Sequence, residues 1–250
     1  MFRREAPKLS PAKEIAYIAV TSALLICVQL ALSAVPGVEC VTVLLLSTSY
    51  VFGARFGFFT GLTFSLLRCL IFGFYLSVVL LYCIYFPLFG IVSGLCGKLR
   101  SERLPLALKI CTNIALLGVA AAAFIAAGAD LIKVSRIYKT ALTVLLWLTG
   151  GLCCLATITF DAVWLYEKKM KTGGEKILKL LFITSVAVIC TIFFTLLDDV
   201  ITPLVIGMTY EGALTYFFVS FTAMLPQTVC TLVTVSTLFM PLTAVLRKVS

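Results

Sequence analysis

The stretch "GFFTGLTFSLLRCLIFGF", Gly57 to Phe74, has the length and composition of a membrane-crossing helix, yet it contains Arg68. An arginine at the centre of such a helix costs about 2.5–3.5 kcal/mol on the translocon scale. Intramembrane charges usually face a bundle interior or a wet cavity, so Arg68 marks a candidate functional position. Gly57, Gly61, Ser65 and Arg68 follow one another at spacings of four, four and three. That spacing puts them on one helical face. The small residues predict close approach of a neighbouring helix, with the arginine emerging where that packing opens.

The rest of the chain extends the pattern. Its 250 residues are 62% hydrophobic and 12% charged. Apolar runs of about 20 residues recur along it, the signature of membrane helices. The weak alternation of a transmembrane barrel, in segments of about ten residues, is absent. The expected fold is therefore all-α, a polytopic membrane helical bundle forming one integral domain over residues 1–250. Eight spans are expected, at Glu14–Val35, Val41–Phe52, Phe56–Phe74, Ser77–Gly97, Leu104–Ala127, Thr140–Tyr166, Ile177–Val200 and Leu214–Leu246. The second is short. The last is long enough to overrun the bilayer or to break at Pro226 or Pro241. The basic "MFRREAPKLSPAKE" start reads as the flank of an uncleaved first span.

The net charge of +9 sits in short loops between apolar spans, which argues against nucleic-acid binding. With the N-terminus in the cytoplasm, every basic residue except Lys133, Arg136, Lys139 and Arg68 falls inside. The positive-inside rule thus predicts two cytoplasmic termini and an even number of spans. The ten cysteines are scattered through the spans and histidine is absent. No metal site of the nitrogen–sulfur kind and no cofactor is expected. The cysteines read as small apolar core residues.

Most acids lie near cytoplasmic ends and read as solvated interface charge. Glu39, Asp198, Asp199 and Glu211 instead gather on the outer side of this topology. Arg68 lies about 20 Å up its helix from Arg55, at 1.5 Å per residue, and so shares that side. Three roles are open to it. It snorkels to the outer headgroups, it forms a structural ion pair with Asp198 or Glu39, or it contacts a substrate. Polar stripes accompany it, Thr184, Thr191, Thr195, Asp198 and Thr202 on one span, and Ser220, Gln227, Thr231 and Thr234 on the next. A threonine stripe alone is more often structural, its hydroxyls bonding carbonyls one turn back.

Nothing in the chain reads as a motor or an enzyme. A P-loop needs G-x-x-x-x-G-K-[ST]; the nearest string, "GLCGKLR", has Leu99 after its lysine. Without histidine there is no Ser/His/Asp set. A binding and transport role is favoured, with any ATP hydrolysed by a partner.

The segment from "EIAYIAVTSALLICVQLALSAVPGVECVTVLLLSTSYVFGARFGFFTGLTFSLL" through "FGF" to "YFPLFGIVSGLCGKL" resembles the substrate-binding S component of energy-coupling factor transporters. The features that carry the likeness are an Ala-x-x-x-Ala pair (Ala19, Ala23), the loop "VPGVE", the "FGARFGFFTGL" junction and the glycine-rich end of the fourth helix. "TLLDDVITPLVIGMTYEGALTYFFVSFTAMLPQTVCTLV" is similar to the family's last two helices. Residues 15–98 and 179–246 carry the resemblance, and residues 104–166 are an apparent inserted hairpin beyond the family's six helices. The resemblance implies a multi-pass protein of the prokaryotic plasma membrane that captures a vitamin-like ligand from outside. It also implies docking on a transmembrane coupling protein with two ATPase subunits, with Ala19 and Ala23 on the docking face. Packing inside the chain's own bundle is the other reading of that pair.

The candidate ligand contacts are Glu39, Arg68, Tyr85, Asp198, Asp199, Glu211 and Gln227. Arg68 would hold a carboxylate or phosphate, or lock Asp198 in place. Tyr75, Tyr85 and Tyr216 are candidates to stack on a ring. The alternative is an ion-coupled secondary transporter or channel that uses Arg68 and the outer acids; such proteins often show inverted repeats, and none is found here.

Overall fold

A computed structural model of the chain describes residues 10–34, 40–98, 106–128 and 175–249, with individual positions between 143 and 165. The regular elements among them are helices: α1 (Pro11–Leu32), α2 (Val41–Phe52), α3 (Ala54–Phe72), α4 (Leu76–Lys98), α5 (Leu106–Gly128), α6 (Glu175–Ile206) and α7 (Tyr210–Val249). The described positions between 143 and 165 are helical too.

Five helices are long and apolar enough to cross a membrane: Pro11–Leu32, Ala54–Phe72, Leu76–Gly97, Lys179–Ile206 and Pro226–Lys248. The protein is thus an all-helical, membrane-embedded bundle. Of the eight expected spans, the second is α2, whose 12 residues rise only about 18 Å against an apolar core of about 30 Å. It does not cross alone. α5 carries a shorter apolar stretch, Leu116–Ile125, and much of the expected Thr140–Tyr166 helix lies outside the described residues. The last helix overruns rather than breaks. α7 continues for 40 residues through both Pro226 and Pro241, as helices in a bilayer tolerate proline when neighbours and hydroxyls re-satisfy the freed carbonyls.

α2 is the central strut, with ten of its twelve residues buried. It is wrapped by α4, α7 and α3, with α1 and α6 beyond. Gly53, at φ +100, joins it to α3. Side chains rarely adopt that conformation, so glycine allows the chain to reverse here without a loop.

α3 and α4 pack more closely than any other pair, and glycine is the reason. A Cβ on Gly57 would collide with the Gly90 carbonyl, and one on Gly61 with the Phe86 carbonyl. One on Gly90 would strike Gly57, and one on Gly94 would strike Ala54. One more rung outward, Ser65 Oγ lies 2.7 Å from the Tyr82 carbonyl and 2.8 Å from its own Gly61 carbonyl. The small face expected on α3 is therefore real, and its partner is α4 in antiparallel register. Between lipid-soluble helices there is little hydrophobic drive, so such close van der Waals contact holds the pair. Large apolar side chains such as Leu70, Val20 and Leu204 point out of the bundle, as a lipid-facing surface requires.

The bundle has two chemically distinct ends. At one, Arg55 Nε lies 3.6 Å from Glu14 Oε1, Lys179 Nζ sits 5.0 Å from the Tyr50 ring centroid, and Gly97 abuts the Tyr50 carbonyl. The starts of α1, α3 and α6 and the ends of α2 and α4 meet here. The opposite end holds Arg68, Asp198 and Asp199.

Candidate functional site

Three helices build the second end in register. Above the Ser65–Tyr82 rung, Arg68 is the next residue on the packed face of α3. Its guanidinium carbon lies 4.0 Å from the Tyr82 ring centroid and 5.1 Å from that of Phe72. Each is close enough for a cation–π attraction. Its Nε is fully buried and has no hydrogen-bond partner.

Tyr82 is also the edge of an aromatic cluster. Phe194 of α6 stands perpendicular to it, with centroids 5.6 Å apart, and lies 4.8 Å from Tyr85. Tyr85 in turn stacks on Phe89 at 5.8 Å and is only 4% exposed. The expected ring-contacting residue Tyr85 is thus inside the core, beneath Tyr82. The cluster ties α6 to α4 at a defined height. Asp198 is one turn beyond Phe194, about 6 Å higher at 1.5 Å per residue. Arg68 is three residues, about 4.5 Å, above Ser65. The arginine and the aspartate therefore share a layer, as counting along the sequence anticipates.

They do not pair. Thr202 Oγ1 donates to Asp198 Oδ1 at 2.6 Å, and Tyr216 OH donates to Oδ2 at 2.8 Å. Both carboxylate oxygens of Asp198 are taken by hydroxyls of α6 and α7. The expectation of an Arg68–Asp198 ion pair is corrected accordingly. Tyr216, considered as a stacking ring, acts through its hydroxyl.

Asp199 is the more buried acid, at 9% exposure. Ser220 Oγ lies 2.9 Å from its Oδ2 and 2.8 Å from the Phe217 carbonyl. Its Oδ1 is buried with no hydrogen-bond partner. No ion pair joins either aspartate to a basic residue among the described residues.

The other expected site residues spread out. Glu39 lies outside the described residues. Glu211 is exposed in the first turn of α7, where an acid suits the positive end of the helix dipole. It stands about 13 Å along α7 from Ser220. Gln227 is partly buried, one turn from Thr231. Thr231 meets Thr191 of α6, their hydroxyl oxygens 3.1 Å apart, and Thr191 also donates to the Ala187 carbonyl at 3.0 Å. The hydroxyl stripe is therefore mainly inter-helix and intra-helix bonding. Ala19 and Ala23 are both exposed on α1, so they do not pack within the described bundle.

Tyr82 is the residue that sequence reasoning missed. Its signal was present in the four-residue step from Gly90 through Phe86, which puts Tyr82 next on the face of α4 that meets α3. Among the described residues, no group of three or more His, Cys, Asp or Glu is placed to hold a metal ion.

Comparison with protein-family models, with curated proteins and with solved structures found no match to this chain.

Proposed function

We propose that this protein is the substrate-capture subunit of an ATP-driven micronutrient importer of the energy-coupling factor kind. In this reading both termini are cytoplasmic, the bundle crosses the plasma membrane eight times with α2 as a short central member, and the Arg68 layer faces outward. The observation that carries it is Arg68 itself: an arginine in a membrane-length helix, seated over Tyr82, with a buried Nε and no acid among the described residues paired with it. A charge left open at this depth is costly unless something else meets it. The exposed Ala19 and Ala23 support the second half of the reading, since small residues let another protein's helix approach closely. A transmembrane coupling protein would dock there, and two ATPase subunits beneath it would supply the energy.

Native mass spectrometry of the protein purified from its own host in mild detergent tests both halves at once. The expected result is a stoichiometric small-molecule adduct, lost in Arg68→Ala, together with coupling protein and ATPase subunits. Ion-gradient-driven uptake by the chain alone in liposomes would overturn the reading in favour of a secondary transporter.

A further inference from the structure

Ser220 stands between two acceptors and has one hydrogen to give. Its Oγ lies 2.9 Å from Asp199 Oδ2 and 2.8 Å from the Phe217 carbonyl. A serine hydroxyl carries a single hydrogen and two lone pairs. The Phe217 carbonyl can only accept, so a hydroxyl that donates to it has none left for Asp199. Both contacts are full hydrogen bonds only if Asp199 brings the second hydrogen. Ser65 also meets two acceptors, but both are carbonyls, and neither can turn donor. A carboxyl can. The other oxygen agrees. Asp199 is 9% exposed, and its Oδ1 is buried with no hydrogen-bond partner. In a carboxylate that atom would carry half of a buried charge with no donor to meet it, among the most destabilising arrangements in a fold. In a carboxylic acid it is a neutral carbonyl oxygen, and under-satisfied carbonyl oxygens are better tolerated.

The surrounding groups point the same way. Asp198 is met by two hydroxyls, Thr202 at Oδ1 and Tyr216 of α7 at Oδ2. No basic residue pairs with either acid among the described residues. Two adjacent carboxylates disfavour each other's charge. α4 meets α6 through Tyr82 and Tyr85 on the Phe194 face, about 140° round the helix from Asp199 at 3.6 residues per turn. Arg68 on α3 lies against Tyr82 and Phe72. Tyr50 of α2 belongs to the opposite end, and α5 presents no titratable group among its described side chains. From the chain of contacts through Ser220 we infer that Asp199 is a proton-binding site. Asp199 Oδ2–H donates to Ser220 Oγ, Ser220 Oγ–H donates to the Phe217 carbonyl, and Asp198 is the ionised member of the pair. The proton closes the joint of α6 and α7. Parting the helices here would open the acid to water, the proton would pass to the solvent, and a carboxylate would remain. The site goes beyond the capture reading and stands without it.

Infrared difference spectroscopy of the full-length purified protein in detergent at neutral pH tests the proton directly. The expected result is the carbonyl-stretch band of a protonated carboxylic acid in the parent, lost in Asp199→Asn and kept in Glu211→Gln. The band should move to lower frequency in heavy water. It should move to higher frequency in Ser220→Ala, which takes away the acceptor of the acid's hydrogen. An asparagine amide donates to Ser220 as the neutral acid does, so Asp199→Asn should keep the parent's helical signal and unfold at about the parent's temperature. Loss of a carboxylate-stretch band in Asp199→Asn, with the acid region unchanged, would show Asp199 ionised and overturn the proposal. An Asp199→Asn chain that no longer folds would overturn it too, because the amide reproduces the neutral acid's bonds and fails only where a charge is required.

Discussion

Gly57 of α3 and Gly90 of α4 face each other so closely that a methyl group on either would overlap the other's carbonyl. This contact sets the height of everything above it, because the rung that seats Arg68 over Tyr82 is counted from it. Gly90→Ala should cost about 1–3 kcal/mol, the range for overpacking a tight interior. Gly118→Ala is the matched control. A Cβ there meets nothing within 4 Å, and alanine is the better helix former by about 1 kcal/mol. Thermal unfolding in detergent should show the first variant falling and the second unchanged or rising.

The seat of Arg68 makes a separate prediction. Tyr82→Phe keeps a ring under the guanidinium and should keep the coupling to Arg68, whereas Tyr82→Leu should lose roughly 0.5–2 kcal/mol of the attraction. A double-mutant cycle with Arg68→Met isolates that coupling from the loss of ring packing. A coupling near zero would mean that the arginine does not use the ring.

Thr191 and Thr231 join α6 to α7 through their hydroxyls. Hydrogen bonds between membrane helices average about 0.6 kcal/mol by double-mutant cycles. Thr191→Val and Thr231→Val should therefore show a coupling of about that size, measured by unfolding in mixed micelles. The weak value matters, since it makes this stripe a poor place to look for loss of ligand capture.

Sidedness is checked with single cysteines in a cysteine-free chain. Arg55 is 79% exposed at its side chain and Tyr210 is 82% exposed, and they stand at opposite ends. In intact cells a membrane-impermeant thiol reagent should label Tyr210→Cys and spare Arg55→Cys. The reverse pattern would invert the topology and turn the Arg68 layer toward the cytoplasm.

Periodicity made one face of α3 legible, because glycines four apart followed by serine and arginine admit one geometry. It could not name the partner, since the register between two antiparallel helices is set by contacts remote in sequence. Tyr82 was missed for that reason, although Arg68 was not. Counting at 1.5 Å per residue placed Arg68 and Asp198 at one height. It could not foresee that Thr202 and Tyr216 would occupy both oxygens of Asp198. Helix ends were the weakest reading. α6 runs to Ile206 and α7 starts at Tyr210, past the expected limits of Val200 and Leu214, because hydropathy marks the bilayer and not the end of a helix.

The shortness of α2 has an electrical consequence. With its base at Gly53 set at one surface of the apolar core, about 18 Å of helix would leave its first turn roughly 12 Å inside the other face. A ligand seated beside that turn has entered the region where the transmembrane voltage falls. An ion held there would feel a share of about 2.3 kcal/mol per charge per 100 mV.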